Sequence, residues 1–396
     1  MGLINKGVID IKPISRTDGA IQAIGAGAIL LDNMIEVVSL PQIDTLPYPG
    51  QKLQTIPGHV QSVLGSISDK NHPAGKQKIK RQMGGPAITA ITVYRDPAWG
   101  ASIPIFCCAI GDDTIGAKLV KRLEKAGVYP LANFQDNRRS GQSVVWVRRG
   151  TGERSILYDR GSLKPVRRKV REKFIDQIER YEVIVKPAKR IVHLDASDPG
   201  LVKEFGTYFH GQDGIVYLDT GDFKTYKDQS TTKSLMTYAD VVQMPLRCAR
   251  EMYVRECNKL NIPMRQLTPR EYAEYFCAQY DDKLFIVTDG INGAGFAYME
   301  KSKMHSGHVD AFTGHIDGFP DRIKDETSAG DIFAGTMGAA LISGHNIHAS
   351  LKIASVAAAS SVRHLGNSTF LGREEAARLS QHVGLIATQV DLAIDR

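Results

Sequence analysis

Cysteine is scarce in this chain of 396 residues, with five at Cys107, Cys108, Cys248, Cys257 and Cys277. The number is odd and the spacing holds neither a CxxC pair nor a zinc pattern. A disulfide scaffold and a cysteine-based zinc module are thereby excluded, and buried free thiols in a reducing compartment are expected. Long apolar runs are missing too: no stretch approaches the roughly 18 apolar residues of a membrane span. Met1 to Ala20 is polar and mixed in charge, without the apolar centre of a signal peptide. A cytoplasmic protein without a membrane partner is expected. The phosphate loop Gly-x-x-x-x-Gly-Lys-[Ser/Thr] is also lacking, as are internal repeats and low-complexity tracts. Any phosphate site must therefore use another device.

The remainder is ordinary globular material, 42% hydrophobic and 23% charged, long enough for one large domain or two. A net charge of +7 favours anionic substrates such as ATP or sugar phosphates. The densest basic run, Lys164 to Lys173, interleaves Val166 and Val170 and has no aromatic residue before Phe174. That pattern predicts a solvated helix face, and no nucleic-acid partner is expected.

From Ile21 onward, short Ile/Val-rich runs alternate with helical patterns. Strand-sized runs occur at Ile103 to Ile110, Ile191 to Leu194, Ile215 to Leu218, Val241-Val242 and Leu284 to Val287; helical segments include Ile115 to Ala126 and Lys233 to Tyr238. The alternation predicts an α/β fold, a mainly parallel central sheet flanked by helices on both faces, with sites at the carboxyl ends of the strands. Two regions interrupt it. Residues 35–83 contain Pro41, Pro47, Pro49, Pro57 and Pro73, and residues 139–163 read as strands Ser143 to Arg148 and Ser155 to Tyr158 joined through Gly150-Thr151-Gly152.

The segment richest in chemistry is Asp325-Glu326-Thr327-Ser328-Ala329-Gly330-Asp331, followed by an apolar run to Ile342 and closed by Ser343-Gly344. Phe333, Met337, Ala340 and Leu341 recur at helical spacing, Thr327 or Ser328 offers an N-cap oxygen, and Gly344 suits a stop. A helix starting near Ala329 leaves three N–H groups free to bind an anion, and Asp331 could take a proton from a hydroxyl. The same residues also suit a plain capped helix with a solvated Asp in its first turn. Asp32, at the end of an apolar run, suits either paired sugar hydroxyls or a turn before Asn33. Gly84-Gly85 permits close approach of a ligand to backbone, or makes a loop. Asp113 reads as a helix cap.

Taken in order, these segments resemble the PfkB carbohydrate kinases, the ribokinase-like sugar kinases. Asp-x-Thr-x-Ala-Gly-Asp before a small-residue helix is similar to the family's C-terminal signature. Gly25 to Asp32 resembles its first strand ending in a substrate-binding Asp, and Gly84-Gly85-Pro86-Ala87 its Gly-Gly motif. Gly111-Asp112-Asp113-Thr114-Ile115-Gly116, with Leu123 and Gly127-Val128, resembles the first signature, and Val287 to Ala294 the nucleotide-side strand and loop.

The resemblance implies a ribokinase-like fold with a small β lid and ATP-dependent phosphorylation of a hydroxyl on a sugar or sugar-like molecule. It places an N-terminal arm at 1–20, the core at 21–34, 84–138 and 164–396, and lid segments at 35–83 and 139–163. Asp331 becomes the catalytic base and Ala329, Gly330 and Asp331 the anion hole, with Ser328 just before it among the catalytic residues. Asp32, Gly84, Gly85 and Thr89 face the acceptor, and Thr288, Gly290 and Gly293 line the nucleotide. ATP and Mg2+ are the implied cofactors. Asp325, with the loop around Gly366, corresponds to a monovalent cation site for an ion such as K+. Lids of this family often pair between subunits, so a homodimer through the lid is a further expectation.

Several positions depart from the pattern. Ser328 stands for a glycine, Thr89 for an Asn, and Glu326 for a Thr. After Ala239-Asp240-Val241-Val242 the family carries Asn-x-x-Glu, which organises magnesium and phosphate. This chain reads Gln243-Met244-Pro245-Leu246-Arg247-Cys248, with Glu251 three residues on as a substitute acting through water. A nucleoside kinase is the alternative acceptor class, for which Tyr48 and Trp146 could furnish a base pocket. A ribokinase-like ligand-binding or scaffold protein with weak or no transfer is the alternative from another class.

Overall fold

The computed structural model describes residues 21–37, 52–55, 59–68, 79–161, 165–210, 214–221, 226–280 and 282–390. The arm at 1–20, Tyr48 and much of 35–83 lie outside the described residues.

Among these residues fifteen strands form two sheets. They are β1 (Ile21–Ala26), β2 (Leu30–Val37), β3 (Lys52–Gln54), β4 (Lys80–Gly84), β5 (Ile105–Gly111), β6 (Tyr129–Gln135), β7 (Gly141–Arg148), β8 (Arg154–Asp159), β9 (Lys189–Asp195), β10 (Gly214–Asp219), β11 (Val241–Pro245), β12 (Leu284–Thr288), β13 (Ala294–Glu300), β14 (Lys303–Val309) and β15 (Leu385–Val390). The helices are α1 (His59–Ser68), α2 (Pro86–Thr92), α3 (Thr114–Lys125), α4 (Arg168–Val185), α5 (Pro199–Phe209), α6 (Tyr226–Leu235), α7 (Leu246–Leu260), α8 (Pro269–Cys277), α9 (Ala329–Ile342), α10 (Ile347–Ser361) and α11 (Arg373–Ser380).

The large sheet runs β15-β14-β13-β12-β11-β10-β9-β1-β5-β6. Its strands from β6 to β12 are parallel, and β12 to β15 continue it antiparallel. Every residue of β1 is buried, as a central parallel strand covered on both faces requires. Two apolar cores lie on its opposite faces, one under α2, α9 and α10, the other under α4, α5, α7 and α8. All five cysteines are buried and form no disulfide.

The small sheet runs β3-β8-β7-β2-β4. It starts earlier than expected: β1 ends at Ala26, and Asp32 lies inside β2, not at the end of the first strand. The chain turns at Gly27-Ala28, so the apolar run from Gly25 to Asp32 is two strands in two sheets. Alternation along β2 and β7 sends Ile35, Val144 and Trp146 to one face, where Val60, Val63 and Leu64 of α1 cover them. Met34, Val145, Val147, Ile156 and Tyr158 pack on the other face with Leu365 of the large unit. Part of the long 35–83 segment therefore serves to cover the outer face. Trp146, 4% exposed, belongs to that outer core and forms no base pocket.

Two helices matter for the site. Asp113 caps α3, its Oδ1 accepting Gly116 N–H at 2.7 Å, while Oδ2 accepts Ser140 N–H at 2.8 Å. Helix α9 is apolar on all sides and mostly buried, which marks it as a central helix. Gly335 lets it press on α2, where a Cβ would lie 2.3 Å from Ala90 O.

Candidate active site

The first group of side chains gathers where β1, β2, β4 and β9 meet. Asp32 is 8% exposed, and Ser143 Oγ of the neighbouring β7 donates to its Oδ1 at 2.5 Å. Gly84 lies against this carboxylate, since a Cβ there would sit 2.0 Å from Asp32 Oδ2. Gly85, with φ of 134°, begins α2 and passes the Ala28 carbonyl so closely that a Cβ would lie 2.3 Å from it. The two glycines are thus required by backbone and carboxylate packing at this junction.

A second carboxylate completes the group. Asp195 ends β9 at the carboxyl edge of the parallel strands and is 2% exposed. It accepts Ala28 N–H at 3.0 Å, Ser197 N–H at 2.9 Å and the Ser197 hydroxyl. Burial pushes its pKa up to about 6 against those hydrogen bonds. Gly27 is needed beside it, because a Cβ would fall 1.9 Å from Asp195 Oδ2. The sequence reading missed Asp195, although it closes the Ile191 to Leu194 run and the rule of strand carboxyl ends points to it.

Asp325 anchors the segment leading to α9. Fully buried, it accepts Thr327 N–H at 2.9 Å and Gly366 N–H at 2.7 Å, which brings together the Asp325 and Gly366 loops as expected. Ser328 occupies the N-cap position with φ of 68°, a left-handed backbone that explains why glycine suits it. Neither expected cap oxygen is used: Ser328 makes no side-chain cap bond, and Thr327 Oγ1 is buried with no hydrogen-bond partner among the described residues. The left-handed backbone of Ser328 departs from the extended conformation in which an N-cap side chain reaches the first N–H groups of the helix.

The first intrahelical bond runs from Ile332 N–H to Ser328 C=O at 2.9 Å, so the N–H groups of Ala329, Gly330 and Asp331 point out of the helix end. An added Cβ at Gly330 would meet only Gln243 Nε2, at 3.8 Å. The helix start is open to a ligand there, with Asp331 in its first turn. Its position is held from below, as Tyr217 OH donates to Gln243 Oε1 at 2.7 Å and Gln243 Nε2 donates to Gly330 C=O at 3.0 Å. Beside them His193 lies between Tyr94 and Tyr217, its Nε2 2.9 Å from Tyr94 OH, and burial lowers its pKa to about 3, so the ring is neutral.

Thr89 lies buried in α2. It is 1% exposed, and its hydroxyl accepts Asn367 Nδ2 at 3.0 Å; the same amide donates to Met83 O at 2.8 Å. The shorter Thr side chain is capped by Asn367, a residue the sequence reading passed over.

On the other side, β12 delivers Thr288 to a 3-10 turn at Gly290–Asn292, closed by Asp289 N–H to Gly293 O at 2.8 Å. Gly290 has φ of 54° and open space around it, as a ligand-facing turn needs. Gly293 differs: a Cβ there would lie 2.1 Å from Val309 O, so its small size is demanded by β14. Ile291 and Asn292 border a cavity of about 560 Å³ with Asp310, Phe312 and His382, and Asp289 borders another of about 630 Å³ with Arg247, Arg250 and Glu251.

The start of α7 offers no carboxylate where Asn-x-x-Glu was sought. Pro245 is its N-cap and Cys248 Sγ donates to Gly221 O at 2.9 Å. Glu251 pairs with Arg247 at 3.0 Å. Among the described residues no group of three or more His, Cys, Asp and Glu side chains is placed to hold a metal ion. No helix among them is long and apolar enough to cross a membrane.

The profile of the pfkB family carbohydrate kinases matches residues 63–372. No curated protein sequence gives a significant match. Among solved structures, a putative ribokinase from Agrobacterium tumefaciens is 19% identical, with a TM-score of 0.67 over 91% of this chain and 97% of that one. Ribokinase from Thermotoga maritima is also 19% identical, TM-score 0.59, covering 91% and 99%. Adenosine kinase from Schistosoma mansoni, in complex with 2-fluoroadenosine, is 17% identical, with a TM-score of 0.69 over 90% and 99%. At these identities the likeness is one of fold.

Proposed function

The chain belongs to the pfkB family of carbohydrate kinases, and from that membership we propose that it phosphorylates a hydroxyl of a sugar or sugar-like molecule at the expense of ATP. The observation that carries the reading is the open start of α9, where three outward N–H groups, an unobstructed Gly330 and Asp331 meet in one turn. Asp331 takes the proton of the acceptor hydroxyl, whose oxygen forms a bond to the γ-phosphorus of ATP as the bond to the bridging oxygen breaks and ADP leaves. The N–H groups of Ala329, Gly330 and Asp331 stabilise charge on the transferring group.

Asp32, set against Gly84, holds the acceptor's other hydroxyls, and Asp195 holds the Gly27-Ala28 turn beside it. Thr288 and the Gly290 turn border the nucleotide, and the small sheet is the lid that excludes water. Magnesium supplies charge neutralisation when bound. The α7 start has no acidic ligand for it, so we assign its coordination to the nucleotide phosphates and water. The cytosol is the proposed compartment.

ADP release measured with ATP and magnesium over a panel of sugars and nucleosides tests the reading. Turnover with one acceptor class, lost by roughly 10²-fold or more in Asp331→Ala, is expected for removal of a general base. Acceptor binding without turnover across the whole panel would establish the second reading, a ligand-binding protein, which Pro245 and Cys248 at the α7 start favour.

A further inference from the structure

A buried carboxylate such as Asp325 needs compensating charge or hydrogen bonds. A monovalent cation bound here would take oxygen ligands from the carboxylate and from carbonyls of the adjoining loop. The residues present are engaged within the chain instead. Both Asp325 oxygens already accept backbone N–H groups, from Thr327 and Gly366. The Val362 carbonyl accepts Lys324 N–H at 2.7 Å and Asp325 N–H at 3.1 Å. The Leu365 carbonyl accepts the ammonium of Lys80, which reaches across from β4.

Lys80 is half-buried. Burial lowers its pKa, and the negative charge of Asp325 opposes that fall. Its strand is locked to the same loop by a second contact: Gln82 Oε1 accepts Asn367 N–H at 3.1 Å, passing Gly366 where a Cβ would lie 2.0 Å away. A positive charge is therefore delivered to this place by the chain itself.

We propose that the Lys80 ammonium is the resident cation of the Asp325 segment, in place of a potassium ion, and that it ties the small sheet to the base of the anion-binding turn. Lys80 is a positioning residue. Its consequence for transfer rests on the kinase reading, but its test uses no turnover, so failure to find an acceptor leaves the test intact.

Melting temperatures are compared at constant ionic strength in potassium chloride and in tetramethylammonium chloride. The wild-type chain is expected to melt at the same temperature in both. Lys80→Met is expected to melt lower in tetramethylammonium and to recover by a few degrees in potassium, as an ion refills the site. Lys80→Arg, which keeps the charge, is expected to ignore the salt as wild type does. A potassium-specific rise of several degrees in wild type overturns the proposal, and so does a Lys80→Met chain whose melting transition gains nothing from potassium.

Discussion

Asp195 and Asp32 show how the same side chain acquires different chemistry from its surroundings. Asp32 accepts a serine hydroxyl on a sheet face, whereas Asp195 is sealed at the edge of β9 with its pKa raised to about 6 from 3.8. A carboxyl whose native pKa is raised binds more protons folded than unfolded between those values. Its stabilising contribution is complete below about pH 3.8 and is lost as the pH rises through about 6. Relative to Asp195→Asn, wild type should lose about 2 kcal/mol of unfolding free energy between pH 4 and pH 7, read by urea denaturation at each pH. A pH-independent difference would refute the assignment. Asp331 and Gly330 were legible in the sequence because a helix start announces itself by local composition. The Thr89–Asn367 pair was not, since its members lie 278 positions apart; Asp195 was marked only by its place at the end of a strand run, because its partner Ala28 lies 167 positions away.

At the scale of elements, α9 is the piece on which the site depends. It lies between α2 and the β9–β10 strands, and glycines set how close it comes. A Cβ at Gly335 would meet Ala90 O at 2.3 Å and Val93 Cγ2 at 2.8 Å. Gly335→Val is therefore expected to cost about 1–3 kcal/mol by overpacking, and to lower the melting temperature accordingly. The control is Gly65→Ala in α1, where nothing lies within 4 Å and the change should be neutral or stabilising by about 0.5–1 kcal/mol. Equal effects at both positions would remove the packing argument. The helix itself was evident from its periodicity and small residues. The steric need for glycine at Gly293 was not legible, because a sequence does not reveal that Val309 O presses on it from β14.

For the whole molecule, the arrangement of two sheets decides what the site can be. The large sheet supplies Asp195, Thr288 and the floor beneath α9, while the small sheet contributes Asp32, Ser143 and Lys80. The small sheet is stabilised on its outer side by a compact core around Trp146, independent of the large cores. Trp146→Ala should cost about 3–5 kcal/mol there. Amide exchange is expected to accelerate in β7 and β8 while β9 to β12 keep their protection, since local units open separately. Uniform acceleration in both sheets would show that the two form one cooperative unit.

Local information, the runs of Ile and Val, the helix periods and the glycine-rich junctions, was enough to establish the α/β class, several of its strands and helices, and the helix start bearing Asp331. Such features depend on neighbours a few residues apart. The strand change between Ala26 and Leu30, the outer-core position of Trp146, the pairing of Asp195 with Gly27 and the placement of Lys80 beside the Asp325 loop came from the assembled structure. Each joins distant segments whose meeting depends on sheet order and register, and a Lys80 charge 245 positions from Asp325 gains its meaning only when β4 is laid against the 365 loop.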